Sequence, residues 1–416
     1  MTFLQLGFSA LAAAGLLALA VIFVIAGAVE LLSGGLASPE AAQQFLLAYS
    51  LAFIGLLCLP SVWTSFQQLL KNSGSAPQKS VKLWSRVFPN RPGWDAFRLV
   101  TLLLIIGLPA SLALGHLAAQ SDKLAWLLLP PLNLVATGLP VLWLALLGMR
   151  KLDGGSAQRK WGLLASGLVI GPVWILTAEV ILLVVAGMLV MIYLSTQPEL
   201  MSEFRELVRQ IRNMTAPDQE ALLRMLEPYL RRPSVMLGTF LMMAVFAPLI
   251  EELLKPIGLW LLSWKKLTPA QGLVAGILSG AGFALFENLG NTSGAGGEWA
   301  LVALSRIPAA LLHMVTTGMV GWALASAWSG GRYWKLAATY AAAVTIHGLW
   351  NGLAVLGAAT IPAEQSISTA FELPAKGMAT VVALVVLCIF NFILYLLLNR
   401  SLRPKPEAQA PELITN

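Results

Sequence analysis

The sequence predicts an all-α fold, a polytopic membrane helix bundle of about ten transmembrane spans, and three observations predict it. The chain is 57% hydrophobic and only 11% charged, where a soluble globular protein carries about 25% charged residues. Ten apolar runs reach the roughly 20 residues that cross a bilayer, at 4–32, 43–70, 97–119, 124–149, 160–194, 235–263, 268–289, 299–329, 333–357 and 376–399. Lysine and arginine gather in alternate loops between those runs, the positive-inside pattern.

The first run has no basic residues ahead of it and is longer than the apolar core of a signal peptide, so it is expected to be a retained span. Basic residues then mark Lys71, Lys79, Lys82, Arg86, Arg91 and Arg98; Arg150, Lys151, Arg159 and Lys160; Lys265 and Lys266; Arg332 and Lys335; and Arg400, Arg403 and Lys405. With ten spans all of these fall on one side, while the opposite short loops hold only Lys123 and Lys376. The expectation is a multi-pass protein of the cell membrane with both termini cytoplasmic. The net charge of +7 is thereby read as contact with the lipid bilayer, with no nucleic acid as partner. Cys58 and Cys388 sit singly in apolar runs and suggest neither a disulfide framework nor a cysteine zinc site.

The chain divides into a five-span membrane region at 1–194, an extracytoplasmic segment at 195–234, a core at 235–357, a last loop and span at 358–400, and a polar tail at 401–416 expected to be disordered. The segment 195–234 holds six arginines and six acids. It is expected to form two amphipathic helices joined near Pro217, with Thr215 or Asp218 capping the second. They would be either an interface-lying hairpin or a cap over the membrane region.

Charged groups inside a bilayer cost about 2.5–3.5 kcal/mol each on insertion scales, so each needs a reason. The four aspartates Asp95, Asp122, Asp153 and Asp218 all lie outside the apolar runs and are expected in loops, which excludes an aspartyl pair within the membrane. Ser279 lies in a small-residue stripe, about 12 Å along its helix from Glu287, and is not expected to be a nucleophile. No HExxH helix is present.

The remaining polar groups concentrate on four consecutive spans: Glu251, Glu252 and Lys255; Glu287 and Asn288; His313 and Thr317; His347 and Asn351. Glu179 in the fifth span and His116 near the end of the third sit outside this cluster and are left out of the site, and Arg306, seven residues before His313, is expected to snorkel to the interface. Counted from the basic loops, Glu251, Glu287, His313 and His347 lie about 21, 28, 25 and 21 Å deep, nearly one level. Gly272, Gly276, Gly280, Ala284 and Glu287 share one helix face, so Glu287 is expected at a helix–helix seam. His347 and Asn351 are one turn apart.

PLIEELLK at 248–255, GFALFEN at 282–288, the isolated His313 and HGLWN at 347–351 resemble, in order and spacing, the PrsW family of intramembrane proteases, within the wider group of the CAAX prenyl proteases. Where the CAAX branch has a histidine, this chain has Glu287. The resemblance covers about 235–357 and implies a catalytic core in spans 6–9 that cleaves a membrane protein, such as a single-span regulator. Two histidines and a carboxylate form a legitimate zinc set. The expected metal ligands are therefore Glu287, His313 and His347, with a Zn2+ cofactor. Glu251 and Glu252 are the expected proton carriers, and Asn351 an oxyanion donor or an orienter of His347. A metal-free mechanism, with a glutamate activating water directly, stays open beside it. So do two other functions, a proton- or ion-coupled transporter and a non-catalytic binding protein.

Overall fold

The computed structural model describes residues 2–35, 38–73, 94–214, 219–360 and 375–404. Among them run ten helices long and apolar enough to cross a membrane, and no strand. In chain order the helices are α1 Thr2–Gly34, α2 Pro39–Asn72, α3 Trp94–Ala119, α4 Asp122–Gly148, α5 Ala157–Ser195, α6 Pro198–Arg212, α7 Gln219–Leu230, α8 Pro233–Trp260, α9 Pro269–Ser293, α10 Trp299–Gly330, α11 Tyr333–Thr360 and α12 Ala375–Ser401. All ten expected spans are present; α6 and α7 are the two expected amphipathic helices. Pro217 and the caps Thr215 and Asp218 lie outside the described residues, as do Lys79, Lys82, Arg86, Arg91 and the tail from 405 onward.

Local chemistry sets the ends. Ser38 accepts the Ala41 N–H ahead of Pro39, and Thr268 and Gln271 form a reciprocal capping box ahead of Pro269. Gly331, at φ 66°, closes α10 in the left-handed region that a side chain resists. α6 has no buried residue, and Arg232 at the start of α8 pairs with its Glu203 at 2.6 Å.

The bundle is built around α9, the most enclosed of the ten spans. Leu273, Ile277, Leu278 and Leu285 of α9 pack with Met314, Val315 and Leu324 of α10, Leu164 and Leu168 of α5 and Tyr395 of α12. By contrast α1, α3, α12 and the outer part of α5 leave rows of Val, Ile and Leu uncovered. Apolar faces of that extent belong in lipid, where helices satisfy every backbone polar group internally.

Two spans depart from regular α-helix near the centre. α5 widens into a π turn at Ser166–Ile170. α8 has a π turn at Met242–Phe246 and breaks at Pro256. Such turns recur at functional sites; the one in α8 lies within the expected core, and the one in α5 packs against it, where a Cβ on Gly167 would strike the Ser279 carbonyl.

Candidate active site

The break in α8 follows from Pro256, which has no N–H to continue the helical ladder. The Lys255 N–H still bonds the Glu251 carbonyl at 2.8 Å. The Lys255 carbonyl accepts the Ser279 hydroxyl at 2.6 Å. Ser279 is fully buried and engaged on the backbone of the broken helix, which gives it a positioning role. The turn just before the break carries Glu251, Glu252 and Lys255 inward.

α9 meets α10 backbone to backbone. A Cβ on Gly272, Gly276 or Gly280 would collide with the carbonyl of Gly321, Thr317 or His313, respectively. The stripe thus sets Glu287, further along the same face, against His313. α11 meets the π turn of α8 in the same way: a Cβ on Gly348 would strike the Ala244 carbonyl, and Asn351 donates to the Met243 carbonyl at 2.9 Å. That contact brings His347 to Glu252.

Four spans thereby converge on Lys255. Its ammonium lies 2.8 Å from Glu251 Oε2 as an ion pair, and 2.9 Å from Glu252 Oε1 and 2.8 Å from His313 Nδ1 as hydrogen bonds. His347 Nδ1 lies 3.5 Å from the same nitrogen and 2.8 Å from Glu252 Oε1. His313 Nε2 lies 2.6 Å from Glu287 Oε2. Each imidazole therefore has one nitrogen held by a carboxylate. These partners assign the proton to Nδ1 of His347 and to Nε2 of His313. Of the other nitrogens, His347 Nε2 lies 3.8 Å from Glu251 Oε2, and His313 Nδ1 faces the Lys255 ammonium. Phe283 closes one side, 4.5 Å below the ammonium and edge-on to His313.

A second layer surrounds Glu287. Arg306 pairs with its Oε2 at 2.7 Å and donates to Asn288 Oδ1 at 2.9 Å. Three carboxylates thus face two permanent cations, leaving one negative charge in excess. A cavity of about 270 Å³ between α5, α8 and α9 opens onto this cluster, and both Glu251 and Glu287 line it. Glu252 does not; it is 0% exposed.

The donor set suits a divalent ion. Glu251, His313 and His347 each offer a ligand atom, and these atoms lie within 4.8 Å of one another. Tetrahedral zinc with ligands at about 2.0–2.2 Å holds its donors roughly 3.3–3.6 Å apart, a modest contraction from this arrangement. Buried Glu251 Oε2 touches Lys255 but accepts no well-directed hydrogen bond, so it retains a lone pair for a cation. The two carboxylate–imidazole bonds are the outer contacts that fix ligating histidines.

Glu251, Glu252, Lys255, Glu287, His313 and His347 meet in this cluster, with a different internal arrangement from the expected one. Glu251 joins the two histidines as the three-donor group, where Glu287 was expected. Glu287 bonds the far nitrogen of His313. Asn351 is spent on the α8 backbone. Arg306, which the sequence suggested would snorkel to the interface, is turned inward onto Glu287; its spacing of seven from His313 was the available signal. Glu179, set aside in the sequence, lines the cavity.

Fold and site together place a buried glutamate–histidine cluster within a bundle of membrane-crossing helices. The chain belongs to the PrsW family of intramembrane metalloproteases, whose description, PrsW family intramembrane metalloprotease, matches residues 171–394, more than half of the protein. The match extends beyond the 235–357 that the motifs marked and takes in the latter part of α5. Comparison with curated proteins and with solved structures returns no match.

Proposed function

We propose that this intramembrane protease hydrolyses peptide bonds of single-span membrane proteins near the outer face of the membrane, as a regulatory cut, with zinc as its metal. The observation that carries the zinc reading is the pair of imidazoles, each held through one nitrogen by Glu252 or Glu287, with Glu251 across from both. Glu251, His313 and His347 would hold the ion. When bound, it supplies Lewis-acid polarisation and lowers the pKa of water.

The remaining steps belong to the chain. Glu287, the other carboxylate lining the cavity, takes the proton of the attacking water as its oxygen bonds to the carbonyl carbon. It then returns that proton to the amine nitrogen as the C–N bond breaks. Glu252 and Lys255 orient His347 and Glu251. Asn351, through Met243, holds α11 in register. The depths estimated for the four spans support a site in the outer half of the bilayer, and the alternation of basic loops supports cytoplasmic termini.

Metal-free hydrolysis is the second reading, and the position of Lys255 among the same donors favours it. In that case Glu251 takes the proton and the lysine balances its charge. Metal analysis of detergent-purified protein alongside cleavage of a single-span substrate separates the two. Stoichiometric zinc whose removal by chelator abolishes cleavage supports the first. Chelator-resistant cleavage by zinc-free protein supports the second. Protein that cleaves no membrane substrate, with or without zinc, overturns both.

A further inference from the structure

The cavity beside the reaction centre has one wall for which the mechanism has no use. On α5, Ile175, Glu179 and Leu182 recur every three to four residues and, with Leu176, line the cavity. Val173, Val180 and Leu183 on the other faces are exposed. Glu179 is thus the acidic group on the inward side of a span otherwise turned to lipid. The other glutamates here have cations: Lys255 for Glu251 and Glu252, and Arg306 for Glu287. Among the described residues no hydrogen bond or ion pair engages Glu179. An acidic group at membrane depth is costly and marks a functional path unless something compensates it.

The space before it has a definite character. At about 270 Å³ it falls below the roughly 300–1,000 Å³ of a small-molecule pocket, and it suits a single side chain. Apart from Glu179, Glu251 and Glu287, its walls are apolar, among them Leu176, Met243 and Phe286.

Resting on the protease reading, we infer that this cavity is a substrate subsite in which Glu179 selects a lysine or arginine side chain next to the scissile bond. The aliphatic stem lies along Leu176, Met243 and Phe286, as long basic side chains do on apolar surface. Its charged head reaches Glu179, the acceptor left without a protein donor, in a charge-assisted bond. Glu251 and Glu287, with cations of their own, stay with the chemistry. Glu179 is then a specificity residue, acting on which bond is presented.

The test uses Leu/Ala single-span peptides of about 21 residues carrying one lysine, scanned through one half of the span, or methionine in its place. Cleavage and binding in nanodiscs are both measured for the full-length wild type, Glu179→Gln and Glu179→Lys. The expected wild-type result is a lysine-over-methionine preference of at least tenfold in kcat/KM at one position. Glu179→Gln brings that ratio close to one, and Glu179→Lys shifts the preference to a glutamate peptide. Cleavage with no lysine preference, or with the preference intact in Glu179→Gln, overturns the subsite and leaves the protease reading standing. A lysine preference in binding that Glu179→Gln removes, with no peptide cut, keeps Glu179 as the receptor of a basic side chain but overturns the protease reading, and with it the place beside a scissile bond. Neither cleavage nor preference overturns both.

Discussion

Lys255 Nζ lies 2.8 Å from His313 Nδ1, so an ammonium donates to the imidazole nitrogen that Glu287 leaves free. Lysine is strongly hydrated in water and costly to bury; here two carboxylates and an imidazole replace its hydration. The consequence is competition, because Lys255 occupies donor atoms that a metal ion would need.

Lys255→Met is expected to raise zinc affinity by about tenfold or more, read by chelator competition. It is also expected to destabilise the metal-free protein, since leaving a buried ion pair with one partner costs about 3–5 kcal/mol. Added zinc should restore the thermal midpoint of the variant and raise that of the wild type less. If Lys255→Met binds zinc more weakly than the wild type, the lysine supports the site and does not compete for it.

The roles of Glu251 and Glu287 are separable by metal content. Glu251→Ala removes one of three donors and is expected to lose both zinc and cleavage. Glu287→Gln retains the three donors and still offers an oxygen to His313. It is expected to keep zinc within the 10–100-fold loss typical of outer-contact changes, yet to lose cleavage. The reverse result, zinc lost with Glu287 and kept without Glu251, would restore the ligand set that the motifs suggested.

Ser279→Ala tests whether the buried hydroxyl is structural. Removing it leaves the Lys255 carbonyl short of a donor, at about 1–3 kcal/mol, so the thermal midpoint should fall. Cleavage should drop several-fold and persist. Complete loss of cleavage in a folded Ser279→Ala protein would mean that the hydroxyl takes part in the chemistry.

The sequence made some of this readable and concealed the rest for identifiable reasons. Apolar length and alternating basic loops set ten spans because a bilayer imposes one length on every crossing. The Gly272–Gly276–Gly280 stripe foretold the α9–α10 contact because only a missing Cβ permits that approach. Depth counting brought Glu251, Glu287, His313 and His347 together because rise per residue is fixed. It gave no information on azimuth, and azimuth decides which carboxylate meets which imidazole nitrogen. Glu251 and Glu252 are adjacent in sequence, yet one lines the cavity and the other is sealed against His347. Adjacent helix residues point about 100° apart, so their division is expected from spacing; which of the two faces the cavity is set by how α8 packs against α9 and α11. Glu179 escaped because α5 matches no motif among those recognised, and its neighbour across the cavity is more than 60 residues away.

Asp153, in the loop between α4 and α5, supplies a pH test away from the membrane. Its carboxylate accepts the Gly155 N–H at 2.9 Å and the Gln271 amide at 2.9 Å, and Gln271 is itself part of the cap on α9. The backbone N–H of Gly155 above all, with Gln271 beside it, holds the Asp153 carboxyl below its usual range. A carboxyl with a lowered folded-state pKa contributes stability above its unfolded value of about 3.9, and that contribution is lost as pH falls through the folded value. Asp153→Asn keeps an oxygen acceptor and discards the charge. It should therefore unfold at a lower temperature than the wild type at pH 7. The gap should begin to close near pH 4 and disappear at lower pH, once the wild-type carboxyl is also neutral. Thermal unfolding of both proteins in the same detergent across that range measures it. A gap that stays constant from neutral to acid would show that the loop holds α9 through shape alone, with no contribution from the charge of Asp153.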